Sequence, residues 1–340
     1  MSEPIKADSA DAAALRQLIM GFRASQMVYV AAKLGLADRL EGRPQTADEL
    51  AKAVGAAPRP LYRLLRALAS IGIFTETPAG AFALTPMARL LQSKPGSLRT
   101  SALIYGDEVF GSAYGQMLHS VQTGEPAFPH VHGAPLFAYL ANDRRAGSLF
   151  HETMREFSIR EAAAILAAYD FATFHDAVDV GGGQGMLIAA LLEAHRQLRG
   201  TVLDLEAAAD GARRLFADAN LTGRASFVVG DFFGELPAGG DLYLLKSVLH
   251  NWSDEAAVRI LRGCREAMAG EGRLLVIERL IPPGNESSEA KLFDINMLVV
   301  LGSQERTGPE YTALFRAAGF ELSRLIPTES DMTLIEGRPI

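Results

Sequence analysis

The chain has 340 residues, enough for two domains, and 49% of them are hydrophobic. Lys and Arg total 33 against 40 Asp and Glu, and the net charge of −7 disfavours nucleic acid as a partner. The single cysteine, Cys264, excludes an intramolecular disulfide and a cysteine-rich zinc site. The polar N-terminus and the lack of an apolar run near the ~18 residues that a bilayer requires predict a cytoplasmic protein with no membrane partner.

The first hundred residues carry the pattern of a winged helix. Apolar residues at helical spacing predict a first helix over residues 8 to about 40. A capping box, Thr46-Ala47-Asp48-Glu49, then opens a short helix. A second helix and the two strands of a hairpin follow, over Pro58–Ile71, Ile73–Thr77 and Ala81–Thr85.

This domain has two candidate uses. The predicted helix Pro58–Ile71 carries three arginines spaced for one face, Arg59, Arg63 and Arg66, which could contact DNA phosphates. A solvated charged face is the commoner explanation of such spacing. The apolar stripe of the first helix instead favours burial in a two-fold interface. We therefore expect a homodimer through the N-terminal domain, and keep a DNA-binding metabolite sensor as an alternative.

Residues 86 to about 170 are predicted to be mainly helical, and from residue 176 short apolar strands alternate with amphipathic helices. This alternation predicts a Rossmann-like α/β domain with a parallel sheet covered on both faces, whose ligands bind beyond the carboxyl ends of the strands. The predicted strands are Ala177–Val180, Gly200–Leu203, Ala225–Val229, Leu242–Leu245 and Arg273–Glu278. The predicted divisions are a winged-helix domain (1–100), a helical connector that contributes to the substrate pocket (101–170) and the catalytic α/β domain (171–340).

The strongest local signal is VDVGGGQG, Val178 to Gly185, in which a strand runs into a glycine turn and then a helix. Glycines at positions 181, 183 and 185 permit a tight turn and let a ligand approach the backbone closely. The spacing G-x-G-x-G differs from the dinucleotide pattern G-x-G-x-x-G. It therefore favours S-adenosylmethionine, which has no pyrophosphate, over NAD.

Two further elements follow the next two strands. Asp204 ends TVLD, 19 residues after Gly185, where a carboxylate can accept hydrogen bonds from ribose hydroxyls; the alternative is a helix N-cap. In GDFF, Asp231 could accept a hydrogen bond from the adenine amino group and Phe232 could pack on the ring. Alone, GDFF would indicate only a turn with core aromatic residues, but the three elements in order support a nucleoside site.

The stretch LLKSVLHNWSDE, Leu244 to Glu255, closely resembles the signature of small-molecule O-methyltransferases of the plant caffeic acid and hydroxyindole type and their bacterial relatives. The resemblance extends over nearly the whole chain and includes VDVGGGQG, LDL, GDFF, LLVIE and QERT. It implies a class I methyltransferase domain, an N-terminal dimerisation domain, conversion of S-adenosylmethionine to S-adenosylhomocysteine and a small aromatic acceptor. It implies no metal.

The resemblance also implies roles for individual residues. His250 resembles the catalytic base, and Glu278 and Glu305 resemble the carboxylates that flank it. The expected cofactor contacts are Asp179, Gly181, Gly183, Asp204, Leu205, Gly230, Asp231, Phe232, Lys246, Ser247, Trp252 and Ser158. The expected substrate contacts are Met154, Phe157, Asn251, Asn296 and Met297, of which Asn251 replaces the family's usual Asp. Trp252 has a second interpretation as a core residue.

The predicted chemistry is removal of a hydroxyl proton during methyl transfer. A phenol titrates near ~10, whereas histidine, with a pKa of ~6.5, suits proton abstraction at neutral pH. Because Glu278 ends a strand beside the one leading to His250, we expect Glu278 to accept the Nδ1 proton and leave Nε2 for the substrate. Glu305 could instead pair with Arg306 or cap a helix. No cluster of metal ligands is apparent in the sequence, and N-methylation of an arylamine or a hydroxylase-like relative stay open as alternatives.

Overall fold

The computed structural model describes residues 10–340. The predicted N-terminal domain begins at residue 1 and its first helix at residue 8, so residues 1–9 of that prediction lie outside the described residues. The chain forms two compact units. One contains the described residues up to Ser112 together with Leu140–Glu156, and the other contains Ala113–Tyr139 and Phe157–Ile340. The segment predicted as a helical connector is therefore divided between the two units.

The predicted winged-helix order is confirmed in the first unit. The elements are α1 (Ala10–Lys33), α2 (Leu36–Arg39), β1 (Gln45–Thr46), α3 (Ala47–Val54), α4 (Pro58–Ser70), β2 (Phe74–Glu76), β3 (Ala81–Leu84), α5 (Pro86–Arg89) and α6 (Arg99–Gly106). Strands β1, β3 and β2 form a three-stranded antiparallel sheet in that order. The capping box of α3 is also confirmed: the Glu49 N–H donates to the Thr46 hydroxyl, and Glu49 accepts from the Thr46 N–H.

The first helix ends earlier than predicted. Gly35 adopts a left-handed conformation, with φ of 62°, and separates α1 from the four-residue α2. On α1, Ala31 and Ala32 are buried, whereas Leu18 and Phe22 are 79% and 64% exposed. The apolar stripe of α1 is therefore available at the surface of the chain.

The segment between residues 86 and 170 is helical, as predicted. After α5 and α6 come α7 (Glu108–Tyr114), α8 (Met117–Thr123), α9 (Ala127–His132), α10 (Leu136–Asn142) and α11 (Arg144–Ala168). Across residues 10–340, none of the helices combines the length and the apolar character needed to cross a bilayer.

The second unit is built on a seven-stranded sheet of order β11-β12-β8-β7-β4-β5-β6. Its elements are β4 (Asp176–Val180), α12 (Met186–Ala194), β5 (Arg199–Asp204), α13 (Glu206–Asp218), β6 (Ala225–Val229), β7 (Leu242–Lys246), a 3-10 turn (Leu249–Asn251), α14 (Asp254–Ala267), β8 (Arg273–Glu278), β9 (Leu280–Ile281), α15 (Glu289–Val300), β10 (Arg306–Thr307), α16 (Gly308–Ala317), β11 (Phe320–Pro327) and β12 (Thr333–Pro339). The five predicted strands correspond to β4–β8, which are parallel. The complete sheet is mixed, because two strands that the sequence did not predict, β11 and β12, extend it in antiparallel pairing.

Helices cover both faces of this sheet, as predicted. One apolar cluster joins α12 and α13 to the strands, and the other joins α14 and α16 to them. Because β4–β8 are parallel, their carboxyl ends meet at one edge of the sheet. That edge carries the glycine turn, Asp204, GDFF, the 3-10 turn and Glu278.

Candidate active site

The glycine turn follows β4 and leads into α12. Gly181, Gly183 and Gly185 have φ values of 72°, 57° and 80°, which residues with side chains rarely adopt. A Cβ at Gly181 would lie 2.9 Å from Cγ2 of Val248, whereas a Cβ at Gly183 would meet no atom within 4 Å. The turn is therefore close to the segment after β7 and leaves space beside its middle glycine.

Asp204 at the end of β5 holds this turn in place. Its Oδ2 accepts a hydrogen bond from the Gly183 N–H at 2.7 Å, and its Oδ1 accepts one from the Leu205 N–H at 2.7 Å. The residue before α13 is Leu205, which is 61% exposed, and the helix has no side-chain N-cap, so the N-cap interpretation of Asp204 does not hold. Beneath the turn, burial raises the pKa of Asp179 to about 7, and the side chain is 1% exposed.

The GDFF segment places its aromatic rings near the same turn. The Gly230 N–H donates to the Asp204 carbonyl, and the exposed Asp231 accepts from the Phe233 N–H at 2.9 Å. A Cβ at Gly181 would lie 3.5 Å from the ring of Phe232. That ring contacts Trp252 edge-on, with centroids 5.7 Å apart, and Trp252 is partly buried against the core. This placement is compatible with both interpretations of Trp252.

Lys246 ends β7 and forms a buried ion pair that the sequence did not predict. Its Nζ lies 2.8 Å from Glu161 on α11, three residues after the half-buried Ser158. The next residue, Ser247, has a φ of 56°, a left-handed conformation that costs a non-glycine residue free energy. Asn251 donates from its side chain to the Ser247 carbonyl at 3.2 Å. The chain thus turns sharply between β7 and the 3-10 turn.

His250 lies on that 3-10 turn, 6% exposed, beside the two predicted carboxylates. Its Nδ1 lies 2.8 Å from Oε1 of Glu305 and 3.3 Å from Oε2 of Glu278. The other oxygen of Glu278 accepts hydrogen bonds from the backbone N–H groups of Val248 and His250, at 3.0 and 3.3 Å. The expectation that Glu278 is the Nδ1 partner is therefore wrong: Glu305 accepts that hydrogen bond, because Glu278 is turned towards the backbone.

The charges around His250 determine its protonation. Burial lowers the pKa of His250, but the negative charges of Glu278 and Glu305, with the hydrogen bond to Glu305, outweigh burial and raise the pKa above its usual value. Burial also raises the pKa of Glu278. The positive charge of Arg279 acts in the opposite direction and lowers the pKa of both His250 and Glu278. Its guanidinium lies 4.1 Å from the ring centroid of Phe293, and that ring is stacked on the imidazole with centroids 6.3 Å apart. The imidazole is therefore buried beside two carboxylates.

The same three residues form a group with metal-ligand chemistry. His250, Glu278 and Glu305 each offer one atom, all within 4.8 Å of one another. This grouping is not apparent in the sequence, because residues 28 and 27 positions apart meet only in the folded chain. The 2.8 Å contact between His250 and Glu305 has the length of a hydrogen bond between charged or polar groups. That bond orients the imidazole with Nδ1 as donor and leaves Nε2 able to accept a proton.

The predicted substrate contacts lie on different elements: Met154 and Phe157 on α11, Asn251 on the 3-10 turn, and Asn296 and Met297 on α15. Asn296 on α15 is 8% exposed and accepts a hydrogen bond from the Tyr114 hydroxyl at 3.0 Å, while the neighbouring Met297 is 1% exposed. Phe157 lies in the same unit, with the Arg160 guanidinium 4.9 Å from its ring centroid. Met154 belongs to the other compact unit. These substrate roles therefore stay predictions.

Several residues around the site were missed in the sequence. Glu161 and Phe293 lie on helices whose packing no local motif reveals, so no signal in the sequence could identify them. Arg279 directly follows Glu278, and Arg306, which the sequence suggested only as a partner of Glu305, directly follows Glu305. That adjacency is the one signal that could have drawn attention to them.

Two family models match the chain: the O-methyltransferase dimerisation domain at residues 16–94 and the O-methyltransferase domain at residues 114–321. The phenazine O-methyltransferase PhzM of Lysobacter antibioticus is 43% identical over 327 residues, covering 96% of each chain. The 8-amino-8-demethylriboflavin N,N-dimethyltransferase of Streptomyces davaonensis is 36% identical over 329 residues, covering 95% of this chain and 94% of its own. The crystal structure of NcsB1 with S-adenosylmethionine and 2-hydroxy-5-methyl naphthoic acid is 37% identical, with a TM-score of 0.79 and coverage of 93% and 96%.

The fold and these matches define a methyltransferase with a mixed central sheet and an N-terminal dimerisation domain, which confirms the predicted fold class. The chain belongs to the O-methyltransferase family. Its relatives are bacterial methyltransferases of natural products that act on oxygen in some cases and on nitrogen in others.

Proposed function

We propose that this enzyme transfers a methyl group from S-adenosylmethionine to a hydroxyl group of a small aromatic acceptor, with His250 as general base. The observation that carries the proposal is the 2.8 Å hydrogen bond from Nδ1 of the buried His250 to Glu305. A carboxylate that accepts at Nδ1 favours the tautomer in which Nε2 is free to accept a proton, which supports the proposal. Val248, two residues earlier, lies against the glycine turn and links the base to the nucleoside site.

The residues at the edge of the sheet fit S-adenosylmethionine. The open space beside Gly183, the half-buried carboxylate of Asp204, the exposed Asp231 and the ring of Phe232 together suit a nucleoside without phosphates. When bound, this group supplies a methyl on a sulfonium sulfur, which keeps the bonding electron pair and leaves as S-adenosylhomocysteine. The NcsB1 complex supports the choice of this cofactor class.

The protein's own task is to position the acceptor and take its proton. A phenol with a pKa near ~10 is almost fully protonated at neutral pH. His250 would accept that proton at Nε2 as the oxygen gains the methyl group, and Glu305 would stabilise the imidazolium that results. A placed base of this kind contributes roughly 10²–10⁴-fold in rate.

N-methylation is the second candidate, favoured by one observation. The riboflavin-type relative, 36% identical over nearly the whole chain, is named as an N,N-dimethyltransferase. The two reactions are separated by incubating the enzyme with methyl-labelled S-adenosylmethionine and either 2-hydroxy-5-methyl naphthoic acid or its amino analogue. Labelling of the phenol oxygen supports the proposal, whereas labelling of the amine alone would replace it with N-methylation.

Asp204→Ala tests the cofactor site. The substitution removes a candidate ribose acceptor and the hydrogen bond that holds Gly183, so we expect S-adenosylhomocysteine to bind at least about tenfold more weakly, as for loss of one hydrogen bond to a charged group. Isothermal titration calorimetry measures this directly. Glu206→Ala, an exposed carboxylate two residues later, is the control. Equal affinities of Asp204→Ala and the wild type would contradict the assignment.

A further inference from the structure

Arg306, the residue after Glu305, is fully buried and makes three hydrogen bonds to the segment that carries His250. Nη1 donates to the Leu249 carbonyl at 2.9 Å, and Nη2 donates to the Trp252 carbonyl at 2.7 Å. Nε donates to the carboxylate of Asp254 at 2.9 Å. Its relative exposure is 0%, so contacts such as these must offset the cost of burying a guanidinium.

The two bound carbonyls lie on either side of His250 in the chain. Arg306 binds carbonyl groups of this segment, whereas Glu278 binds its N–H groups. The Glu278 carboxylate accepts hydrogen bonds from the backbone N–H groups of Val248 and His250. The 3-10 turn is only three residues long, and it follows Ser247 in its left-handed conformation. A short turn with a strained entry has little stability of its own, so its geometry depends on such external partners.

We propose that Arg306 is a positioning residue for the base: it fixes the backbone turn so that the His250 ring meets Glu305. Glu305 then binds the His250 ring, and the adjacent Arg306 binds the backbone on either side of His250. This inference rests on the proposed function, because it takes His250 as the base. Its consequence is that loss of the guanidinium displaces the imidazole while the cofactor site at Asp204 is kept.

The chain contains a matched control in Arg224. Its guanidinium also donates to three backbone carbonyls, those of Leu192, His195 and Leu198, at 2.8, 3.0 and 3.0 Å. These partners lie at the end of α12 and before β5, which is the opposite end of the strands from the site. Arg224→Ala therefore removes the same number of hydrogen bonds without touching the turn of His250.

The test compares Arg306→Ala, Arg306→Lys and Arg224→Ala. Two readouts are needed: kcat with 2-hydroxy-5-methyl naphthoic acid, and the pKa of His250 from NMR titration of ¹⁵N-histidine-labelled protein. The His250 signal is identified by its loss in His250→Gln. S-adenosylhomocysteine affinity and thermal unfolding report whether each variant is folded, and Arg306→Lys supplies a folded variant if the alanine variant is too unstable.

We expect Arg306→Ala to lower kcat about 10²-fold, the effect of a displacement of about 1 Å, with cofactor affinity kept. The pKa of His250 should fall towards ~6.5 as the ring leaves Glu305. Arg306→Lys should lie between the alanine variant and the wild type, and millimolar guanidinium should restore part of the activity of Arg306→Ala. Arg224→Ala should lose thermal stability but keep both kcat and the pKa of His250.

An unchanged His250 pKa in Arg306→Ala would overturn the inference, and so would an equal loss of kcat in Arg224→Ala. The NMR readout needs no acceptor. If the wild type fails to methylate the phenol, the proposed function is in error, while the pKa of His250 still decides whether Arg306 positions the ring.

Discussion

The imidazole of His250 has two carboxylates within 3.3 Å of Nδ1, and they differ in what else they bind. Glu278 accepts hydrogen bonds from two backbone N–H groups, so its negative charge stabilises the 3-10 turn as well as the protonated form of the His250 ring. Glu305 directs its Oε1 to the ring, while its backbone N–H donates to Asp294 at 2.8 Å. The charge of Glu278 raises the pKa of His250, and Glu305 raises it further through both its charge and its direct hydrogen bond to the ring.

Glu305→Gln should change the pH dependence of the reaction. The pKa of His250 is raised by the two carboxylates, so the neutral base of the wild type is lost as pH falls through a pKa above the usual ~6.5. Removing one negative charge lowers that pKa, and the rise of kcat/KM with pH should move to lower pH. The maximum rate should also fall, because the amide stabilises an imidazolium less well.

Profiles of kcat/KM against pH measure this shift. They should run from about pH 5 to 9, because histidine side chains in proteins usually titrate within that interval. Glu310→Gln is the control, because Glu310 is an exposed carboxylate that caps α16 on the same segment. A Glu305→Gln profile that coincides with the wild type would show that Glu305 does not set the pKa of the base.

At the scale of elements, α1 presents apolar side chains that its own unit leaves uncovered. Leu15, Leu18, Ile19 and Phe22 are 58%, 79%, 58% and 64% exposed and recur at helical spacing. The matching dimerisation-domain model covers this helix from residue 16. A two-fold interface that buries the stripe is the arrangement this exposure and that match support.

Leu18→Glu should weaken the dimer. Burying a leucine contributes about 1.5–3 kcal/mol, so placing a charge at this position in both copies should raise the dissociation constant by at least about tenfold. Sedimentation velocity over a range of concentrations measures the change, with Gln17→Glu on the same exposed helix as control. A Leu18→Glu protein that dimerises like the wild type would place the interface elsewhere.

The elements also show what the sequence could and could not predict. Strands β4–β8 were recognised because each contains a short, mainly apolar run that ends in a motif at the sheet edge. The order of α3, α4 and the hairpin followed from a capping box and a Pro-Ala-Gly turn. The antiparallel strands β11 and β12 were missed, because Phe320–Pro327 mixes charged and apolar residues in an irregular order and carries no motif.

Side-chain partners were the least predictable feature. The family resemblance identified His250, Glu278 and Glu305, but strand adjacency assigned Nδ1 to Glu278 instead of Glu305. Strand adjacency gives the position of a residue at a sheet edge, whereas the direction of its carboxylate depends on which backbone N–H groups are unpaired nearby. The ion pair of Lys246 with Glu161 was also missed, because the partners are 85 residues apart.

For the whole molecule, the C-terminal hairpin is joined to the rest of the second unit by a buried carboxylate. Glu336 on β12 is 1% exposed and accepts a 2.6 Å hydrogen bond from Tyr169, the residue that follows α11. Burial raises the pKa of Glu336, but hydrogen bonds from Arg324, Ser323 and Tyr169 outweigh it and lower the pKa to about 2. Ionised Glu336 thus stabilises the folded state.

This depressed pKa predicts how stability depends on pH. The contribution of Glu336 is present above the pKa of an unfolded glutamate, ~4.3, and is lost as pH falls through the folded pKa of about 2. Glu336→Gln should therefore be less stable than the wild type at neutral pH, and the difference should shrink as pH falls below ~4.3.

Urea unfolding of both proteins between pH 7 and about 2.5 measures the difference in the free energy of unfolding. Glu329→Gln, an exposed residue between β11 and β12, serves as the control. A difference between Glu336→Gln and the wild type that stays constant over the whole pH range would contradict the role assigned to the ionised carboxylate.

The most direct measurement for the whole account is the rate of His250→Gln with phenolic acceptors of different acidity. If His250 removes the proton, the variant should lose roughly 10²–10⁴-fold in kcat at neutral pH on a phenol with a pKa near ~10. It should lose far less on a phenol acidic enough to be ionised already, and S-adenosylhomocysteine should bind within a few-fold of the wild-type affinity. An equal loss on both acceptors, or no loss on the weakly acidic one, would contradict the assignment of His250 as the base.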